Sequence, residues 1–248
     1  MKSIHGYLTL LFVLFFTATS NASVIMSGTR VIYPADAKEK TIQFSNPDAV
    51  PYLIQVTVNE QETPSNTEST DFIISPPLFR IEPHSGQSVR LTWAGERLPD
   101  NRESIFYITF TQIPALSKDV GDKNKLILTV ASKVKLFFRP QSLKNIPHNI
   151  AEQLSVHKSG DSFIVKNPTG YYLTVASITT QQDQHKTIIS NPAMIAPFSD
   201  SVIKSLRKQD SLSVGQQIRI TTINDYGVGI ITETTIKQMA EQVIKCGR

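Results

Sequence analysis

Three cationic side chains have the types and spacing to form an anion-binding site. Lys135 and Arg139 lie an even number of residues apart in one alternating segment, so they share a face of a β-strand near its end. Arg30 lies in an early strand-like segment. A guanidinium and an ammonium that converge in a cleft bind a carboxylate through charge-assisted hydrogen bonds. The alternative is that they are solvated strand charges or partners in ordinary salt bridges, and the residues alone leave both interpretations open.

Candidate catalytic and metal-binding residues form no recognised arrangement. The histidines are scattered, and no two have the spacing that puts both imidazoles on one metal ion. They are His5, His84, His148, His157 and His185. Ser201 and Lys204 have the Ser-x-x-Lys spacing of serine acyl-enzymes but lack the companion motifs. Gly227 and Gly229 lack the third glycine of a phosphate-binding loop. The sequence therefore predicts a protein that is not an enzyme and that binds no metal, nucleotide or other cofactor.

Lys135 and Arg139 must be positioned by one long strand at 125–140. Its apolar side chains recur at every second position, which is the period of one face of a strand. They are Leu126, Leu128, Val130, Val134, Leu136 and Phe138. Pro140 ends the strand because it has no N–H to donate, and Lys125 and Lys133 are charges of the kind that protect a sheet edge. An apolar edge accepts an added strand from another chain, and the alternative is an interior sandwich strand paired on both sides.

The rest of the chain predicts an all-β protein with two sandwich domains. Seven short strand-like segments separated by turn residues fill about 120 residues, which is the density of an immunoglobulin-like sandwich. A boundary with little periodicity follows at 142–147, and further strand-like segments come after it. We therefore expect a first domain at 23–141 and a smaller second domain at 142–248. The last of these strand-like segments is at 229–236. In the tail after it, residues at helical spacing predict a short helix: Ile236, Met239, Ala240, Val243 and Ile244.

Residues 1–22 have the features of a secretory signal peptide: Lys2, an apolar segment at 8–16, and small residues before Ser23. The apolar segment is too short to span a bilayer, so the mature protein is expected to be exported without an integral membrane segment. Its single cysteine, Cys246, excludes an internal disulfide. A formal net charge of +4, with no basic run among aromatic residues, argues against nucleic-acid binding.

Seven motifs, taken in chain order, carry a family resemblance. They are GTRVIY at 28–33, NP at 46–47 with PYL at 51–53, PPLFRIEP at 76–83, RESIFY at 102–107, KVKLFFRP at 133–140, NPT at 167–169 with YY at 171–172, and INDYG at 223–227. Together they span almost the whole chain after the leader. They resemble the periplasmic chaperones of the chaperone-usher pilus pathway, the PapD-like family. The segment at 117–124 is short, as in the branch of the family that serves rod-type pili. Thr109, Ala115 and Gly170 depart from the family pattern.

The resemblance implies an all-β fold of two immunoglobulin-like β-sandwich domains arranged in an L, with a cleft between them. It also implies a periplasmic chaperone that binds, folds and caps pilus subunits and delivers them to an outer-membrane usher. Capping would occur by donor-strand complementation, in which the chaperone lends its last first-domain strand to a subunit that lacks one. At the matching positions, the resemblance implies that Leu126, Leu128 and Val130 enter the subunit groove. It implies that Arg30 and Lys135 bind the subunit's C-terminal carboxylate. It also implies that Glu103, Arg139 and Asp225 form an interdomain ionic cluster.

Other functions remain as alternatives at this point. One alternative is that the chain is itself a pilus subunit or adhesin. Another is that it is a different secreted β-sandwich binding protein. A pilus subunit is usually one incomplete sandwich with a paired disulfide, which two predicted domains and one cysteine do not match. A secreted hydrolase would need a nucleophile and base, or paired carboxylates, in one cleft. In the absence of a subunit, the apolar edge predicts weak self-association.

Overall fold

The computed structural model describes residues 24–60, 69, 71–115, 128–144, 146–159, 162–182, 185–188, 190–204 and 213–238. Within these ranges the regular elements are β-strands, apart from two short 3₁₀ helices at Gln141–Leu143 and Ile150–Gln153. None of the helical elements in these ranges has the length and apolar character needed to cross a membrane. The predicted leader at 1–22, the donor-strand residue Leu126 and the lone Cys246 lie outside the described residues.

In the described part of the chain, nine strands form the first domain as two sheets. They are β1 (Ile25–Met26), β2 (Arg30–Pro34), β3 (Lys40–Asn46), β4 (Tyr52–Asn59), β5 (Phe72–Ser75), β6 (Leu78–Ile81), β7 (Ser85–Trp93), β8 (Ser104–Pro114) and β9 (Val130–Arg139). One sheet has the order β1-β3-β7-β5 and the other β2-β9-β8-β4-β6. The chain changes sheets between β1 and β2, at a bend where Gly28 has a φ of 90°, a conformation that favours glycine.

Alternation along the strands packs a core of aromatic side chains between these two sheets. The ring of Tyr33 stacks on Phe138 with 5.8 Å between centroids, and Trp93 lies 4.8 Å from both Phe72 and Phe138. The buried Tyr33 hydroxyl donates to the carbonyl oxygen of Ala37 and accepts the backbone N–H of Trp93. Burial of apolar surface stabilises the domain by roughly 25 cal/mol per Å². This core fixes β2 and β9, the strands that carry the three cations.

The second domain is also built from strands. They are β10 (Ser155–Ser159), β11 (Ser162–Asn167), β12 (Leu173–Gln182), β13 (His185–Ile188), β14 (Ala193–Ile195), β15 (Ser199–Lys204), β16 (Gln217–Ile223) and β17 (Gly229–Lys237). They are hydrogen-bonded in the order β13-β12-β16-β17-β10-β11-β15, with β14 on β12, around one mostly aliphatic core. The prediction of an all-β protein with two sandwich domains is confirmed.

Two elements differ in extent from the sequence predictions. β9 begins at Val130, so Leu128 precedes the strand instead of lying within it. Ile236, which the sequence placed both at the end of a strand and at the start of a terminal helix, is buried in β17 and pairs in parallel register with Val156, whereas the other apolar residues of the predicted helix lie outside the described residues. Pairing with a distant strand here overrides the local helical spacing. The bond between Ser75 and Pro76, whose isomer the sequence did not define, is cis.

Candidate functional site at the domain junction

Arg30 and Lys135 are direct neighbours on two parallel strands. β2 pairs with β9 in a register that matches Arg30 with Lys135. Val31 and Tyr33 turn into the core of the first domain, so alternation directs Arg30 to the opposite face of the sheet. Two cations that are far apart in the sequence therefore lie side by side on one face.

Arg30 is half-buried and only partly satisfied by hydrogen bonds. Its Nη1 donates to the carbonyl oxygen of Ile223 in the second domain at 3.2 Å, and its buried Nε has no partner among the described residues. Burial lowers the pKa of Arg30, against the opposing effect of nearby Asp225 and Glu103. Within the described ranges, neither Arg30 nor Lys135 forms a salt bridge. An unsatisfied guanidinium donor beside a second cation is suited to binding a carboxylate.

A length of unpaired sheet edge on β9 leads directly to these two cations. β8 covers one edge of β9 along the strand, but β2 covers the other edge only from Lys135 onward. Among the described strands, only β2 pairs with β9 on that second edge, and its pairing begins at Lys135. The Leu128 and Val130 side chains are 69% and 48% exposed. An apolar, unpaired edge is a template for strand addition from another chain.

Arg139, at the other end of β9, connects the two domains through buried ion pairs. Its Nε donates to Glu103 Oε1 at 2.7 Å, and its Nη1 and Nη2 donate to the two carboxylate oxygens of Asp225 at 2.6 and 2.8 Å. Glu103 Oε2 accepts the backbone N–H of Tyr172 at 2.8 Å. Burial raises the pKa of Glu103, and the nearby Arg139 only partly offsets this effect. Burial acts to lower the pKa of Arg139, but the carboxylates of Asp225 and Glu103 outweigh it and raise that pKa. All three nitrogens of the Arg139 guanidinium thus have partners within the protein, whereas the Nε of Arg30 has none among the described residues.

Two glycines permit close approach of the domains, and sequence reasoning anticipated neither contact. A Cβ on Gly227 would collide with Oγ1 of Thr29, and Gly227 also has a φ of 80°. A Cβ on Gly170 would lie 2.6 Å from the carbonyl oxygen of Asn101, while the Gly170 carbonyl accepts the N–H of Glu103 at 2.8 Å. Gly170 stood out in the sequence only as a departure from the family pattern, and that departure was the single signal available.

Two cavities flank the Arg30 side chain where the domains meet. The larger, of about 560 Å³, is bounded by both domains and by the segment that joins them. The smaller, of about 370 Å³, lies between β2, β3 and the turn that connects β16 to β17. Arg30, Asp225 and Tyr226 contribute to the walls of both cavities, and Tyr226 is 88% exposed. In the sequence, Tyr226 was recognisable only as part of the INDYG motif at 223–227, which indicated no role for its side chain.

Comparison with known proteins relates this arrangement to one family. Residues 23–144 match the family described as "Pili and flagellar-assembly chaperone, PapD N-terminal domain", and residues 149–234 match "Pili assembly chaperone PapD, C-terminal domain". The chain is 35% identical to chaperone protein HifB of Haemophilus influenzae, over 88% of this chain and 92% of that protein. It is 34% identical to chaperone protein MrkB of Klebsiella pneumoniae, over 91% and 96%.

A solved structure agrees with the sequence matches. It is the Salmonella enterica SafA pilin in complex with the SafB chaperone, and the matched chain superposes with a TM-score of 0.73 at 27% identity, over 88% of this chain and 99% of that one. Both domain families, full-length relatives above 30% identity and the two-domain fold agree with one another. The chain therefore belongs to the PapD family of pilus assembly chaperones.

Proposed function

We propose that this protein caps pilus subunits by adding the start of β9 and the residues before it to a subunit that lacks a strand. The observation that carries the proposal is the edge of β9 that β2 leaves uncovered before Lys135, next to Arg30. A subunit without one strand exposes an apolar groove and unpaired backbone groups, and an added strand satisfies both. The SafA pilin bound to the SafB chaperone supports a pilus subunit as the partner.

The direction of the added strand follows from the position of β2. Because β2 occupies the edge of β9 from Lys135 onward, a client strand on this edge must end there. A client strand parallel to β9 brings its carboxyl end to Arg30 and Lys135, whereas an antiparallel strand brings a positively charged amino end. Charge complementarity therefore favours the parallel arrangement, with the client's terminal carboxylate bound by both cations. The carboxylate sets the register, which matters because a slip of one residue turns the apolar face away.

Leu128 and Val130 are the described side chains that would enter the client groove, and Leu126 extends the same alternation toward the preceding segment. Their exposure in the free protein is consistent with a surface that becomes buried on binding. Neighbouring exposed apolar side chains beside an uncovered strand edge commonly mark an interaction site, whereas a single exposed apolar residue does not. In the free protein the same surface would support weak self-association.

The ion pairs of Arg139 with Glu103 and Asp225 would hold the domains at the angle that forms the cleft. The proposed mature protein starts after the leader at 1–22 and consists of a chaperone domain at 23–141 and a second domain at 142–248. Its compartment would be the periplasm, and it would deliver subunits to an outer-membrane usher. The role is one of binding, without catalysis, cofactor or metal.

A pair of matched substitutions tests this function. Leu128 and Val202 are 69% and 68% exposed, but Val202 lies on β15 of the second domain, away from the β9 edge. We expect Leu128→Asp to lose protection of co-expressed pilus subunits from degradation in the periplasm, and Val202→Asp to retain it. Affinity purification of the tagged parent, followed by mass spectrometry, identifies the clients. Equal protection by both variants would refute the role of the β9 edge.

A further inference from the structure

The turn between β16 and β17 holds an exposed aromatic ring beside the cations on a well-defined backbone. Oδ1 of Asn224 accepts the N–H groups of Tyr226 and Val228 at 3.0 and 2.9 Å, and the N–H of Asn224 donates to the carbonyl oxygen of Val228 at 2.9 Å. The same turn is joined to the first domain by the two hydrogen bonds between Arg139 and Asp225. The ring of Tyr226 is therefore presented by a segment whose backbone is fixed from both domains.

The two cavities beside Tyr226 have mixed walls, in which apolar side chains lie among charged ones such as Arg30 and Asp225. Ile32 of the first domain lines both cavities along with Tyr226, and Ile223 and Ile230 of the second domain line the larger one. In the free protein Tyr226 leaves 88% of its surface in water, although tyrosine is among the residues that contribute most to binding interfaces. An aromatic side chain has few rotatable bonds, so Tyr226 would lose little conformational entropy on being covered while burying a large apolar ring.

We infer that Tyr226 is a specificity-determining residue that packs on the side chain of the client's C-terminal residue. This inference rests on the proposed function. If the client strand ends where β2 begins, its last residue lies at the level of Arg30, and its carboxylate is bound by Arg30 and Lys135. The space that remains for the last side chain is the pair of cavities whose shared wall includes Tyr226. The site therefore selects clients that end in a large apolar or aromatic residue over clients that end in glycine.

Synthetic peptides separate the two parts of the site. Three peptides share one body of alternating valine and serine: one ends in phenylalanine with a free carboxylate, one ends in glycine with a free carboxylate, and one ends in phenylalanine amide. Titration calorimetry measures their affinity for the parent, Tyr226→Ala and Tyr226→Leu. Tyr226→Ala is expected to weaken the phenylalanine peptide about tenfold and the glycine peptide less than about twofold, since truncating a tyrosine that contributes to a binding hot spot has an effect of at least this size. Tyr226→Leu keeps apolar bulk and is expected to recover most of the loss.

The outcomes distinguish the inference from the function beneath it. If the parent prefers free carboxylate over amide but Tyr226→Ala weakens the phenylalanine and glycine peptides equally, or weakens neither, the role of Tyr226 is wrong and the carboxylate site stands. If the parent binds the acid and the amide equally, the proposed carboxylate site fails, and the inference fails with it. Thermal unfolding of each variant checks the fold, which an exposed ring should hardly affect, and Tyr226→Leu decides the matter if the alanine variant is destabilised.

Discussion

Loss of the Glu103 carboxylate is expected to weaken the coupling between the domains. Glu103→Ala leaves the Arg139 side chain, which is 8% exposed, without one of its two anionic partners and leaves the N–H of Tyr172 without its acceptor. Removing one partner of a buried ion pair costs about 3–5 kcal/mol, because the remaining charge stays desolvated. The lower figure of about 3 kcal/mol applies here, since Asp225 keeps its two hydrogen bonds to Arg139.

The second domain provides a matched control on its surface. Arg219 Nε and Glu233 Oε1 are 2.9 Å apart, so the pairing atoms and geometry resemble those of Arg139 and Glu103, but the two side chains are 42% and 67% exposed. Glu233→Ala is expected to cost less than about 1 kcal/mol, because solvent screens an exposed pair.

Urea unfolding monitored by two signals measures both variants. Trp93 is the only tryptophan and packs on Phe72 and Phe138 in the first-domain core, so its fluorescence reports that domain, whereas circular dichroism reports both. With a slope of about 3 kcal/mol per M of urea, a loss of about 3 kcal/mol lowers the midpoint by roughly 1 M. We also expect the two signals of Glu103→Ala to separate into different transitions. Coincident signals and a midpoint no lower than that of Glu233→Ala would refute the reasoning that this cluster couples the domains.

Four further outcomes are expected. Arg30→Ala should abolish subunit protection in the periplasm because it removes the guanidinium fork, and Arg30→Lys should restore part of it; full protection by the alanine variant would contradict the carboxylate assignment. Gly227→Ala should cost about 1–2 kcal/mol in urea unfolding, and Thr29→Ala in the same chain should recover only the part caused by the collision. The hydrogen bond to Asp48, with burial, raises the pKa of Tyr52 to about 12. The stability that this hydrogen bond contributes is complete below about pH 10 and is lost as the pH rises toward 12. Melting temperatures of Tyr52→Phe should therefore lack this alkaline decline. Sedimentation of the free protein should give a mass that rises with concentration, and a constant monomer mass would exclude association through the open edge.

The alternation of apolar and polar side chains in the long strand was predictable from the sequence, because the face that a side chain occupies depends only on its position within the strand. Val134, Leu136 and Phe138 lie on the core side as their spacing predicted. The contact between Arg30 and Lys135 had no such local signal, since it depends on parallel pairing of distant strands. The prediction that both side chains bind one carboxylate came from the family resemblance and from the chemistry of the two side chains, and no spacing in the sequence indicated it.

The contacts between the domains were the part least accessible to sequence reasoning. Gly170 matters because a neighbouring backbone comes within reach of a Cβ, and that distance arises only after both sandwiches have formed. Helical and strand patterns overlapped at Ile236, and the strand prevails there because the partner of this residue is Val156 in another strand. Local periodicity describes one element at a time, whereas packing between elements decides both cases.

The division of the first strand segment between two sheets has a consequence for the order of folding. β1 pairs with β3, which is near in the chain, but β2 pairs with β9, which comes about a hundred residues later. The pairing that brings Arg30 beside Lys135 therefore carries the largest loop-closure entropy among the described strand pairs of the domain, and we expect it to form after the local hairpins. A partly folded chain would therefore lack the paired cations, and under the proposed function it would bind a client only once the first domain is finished.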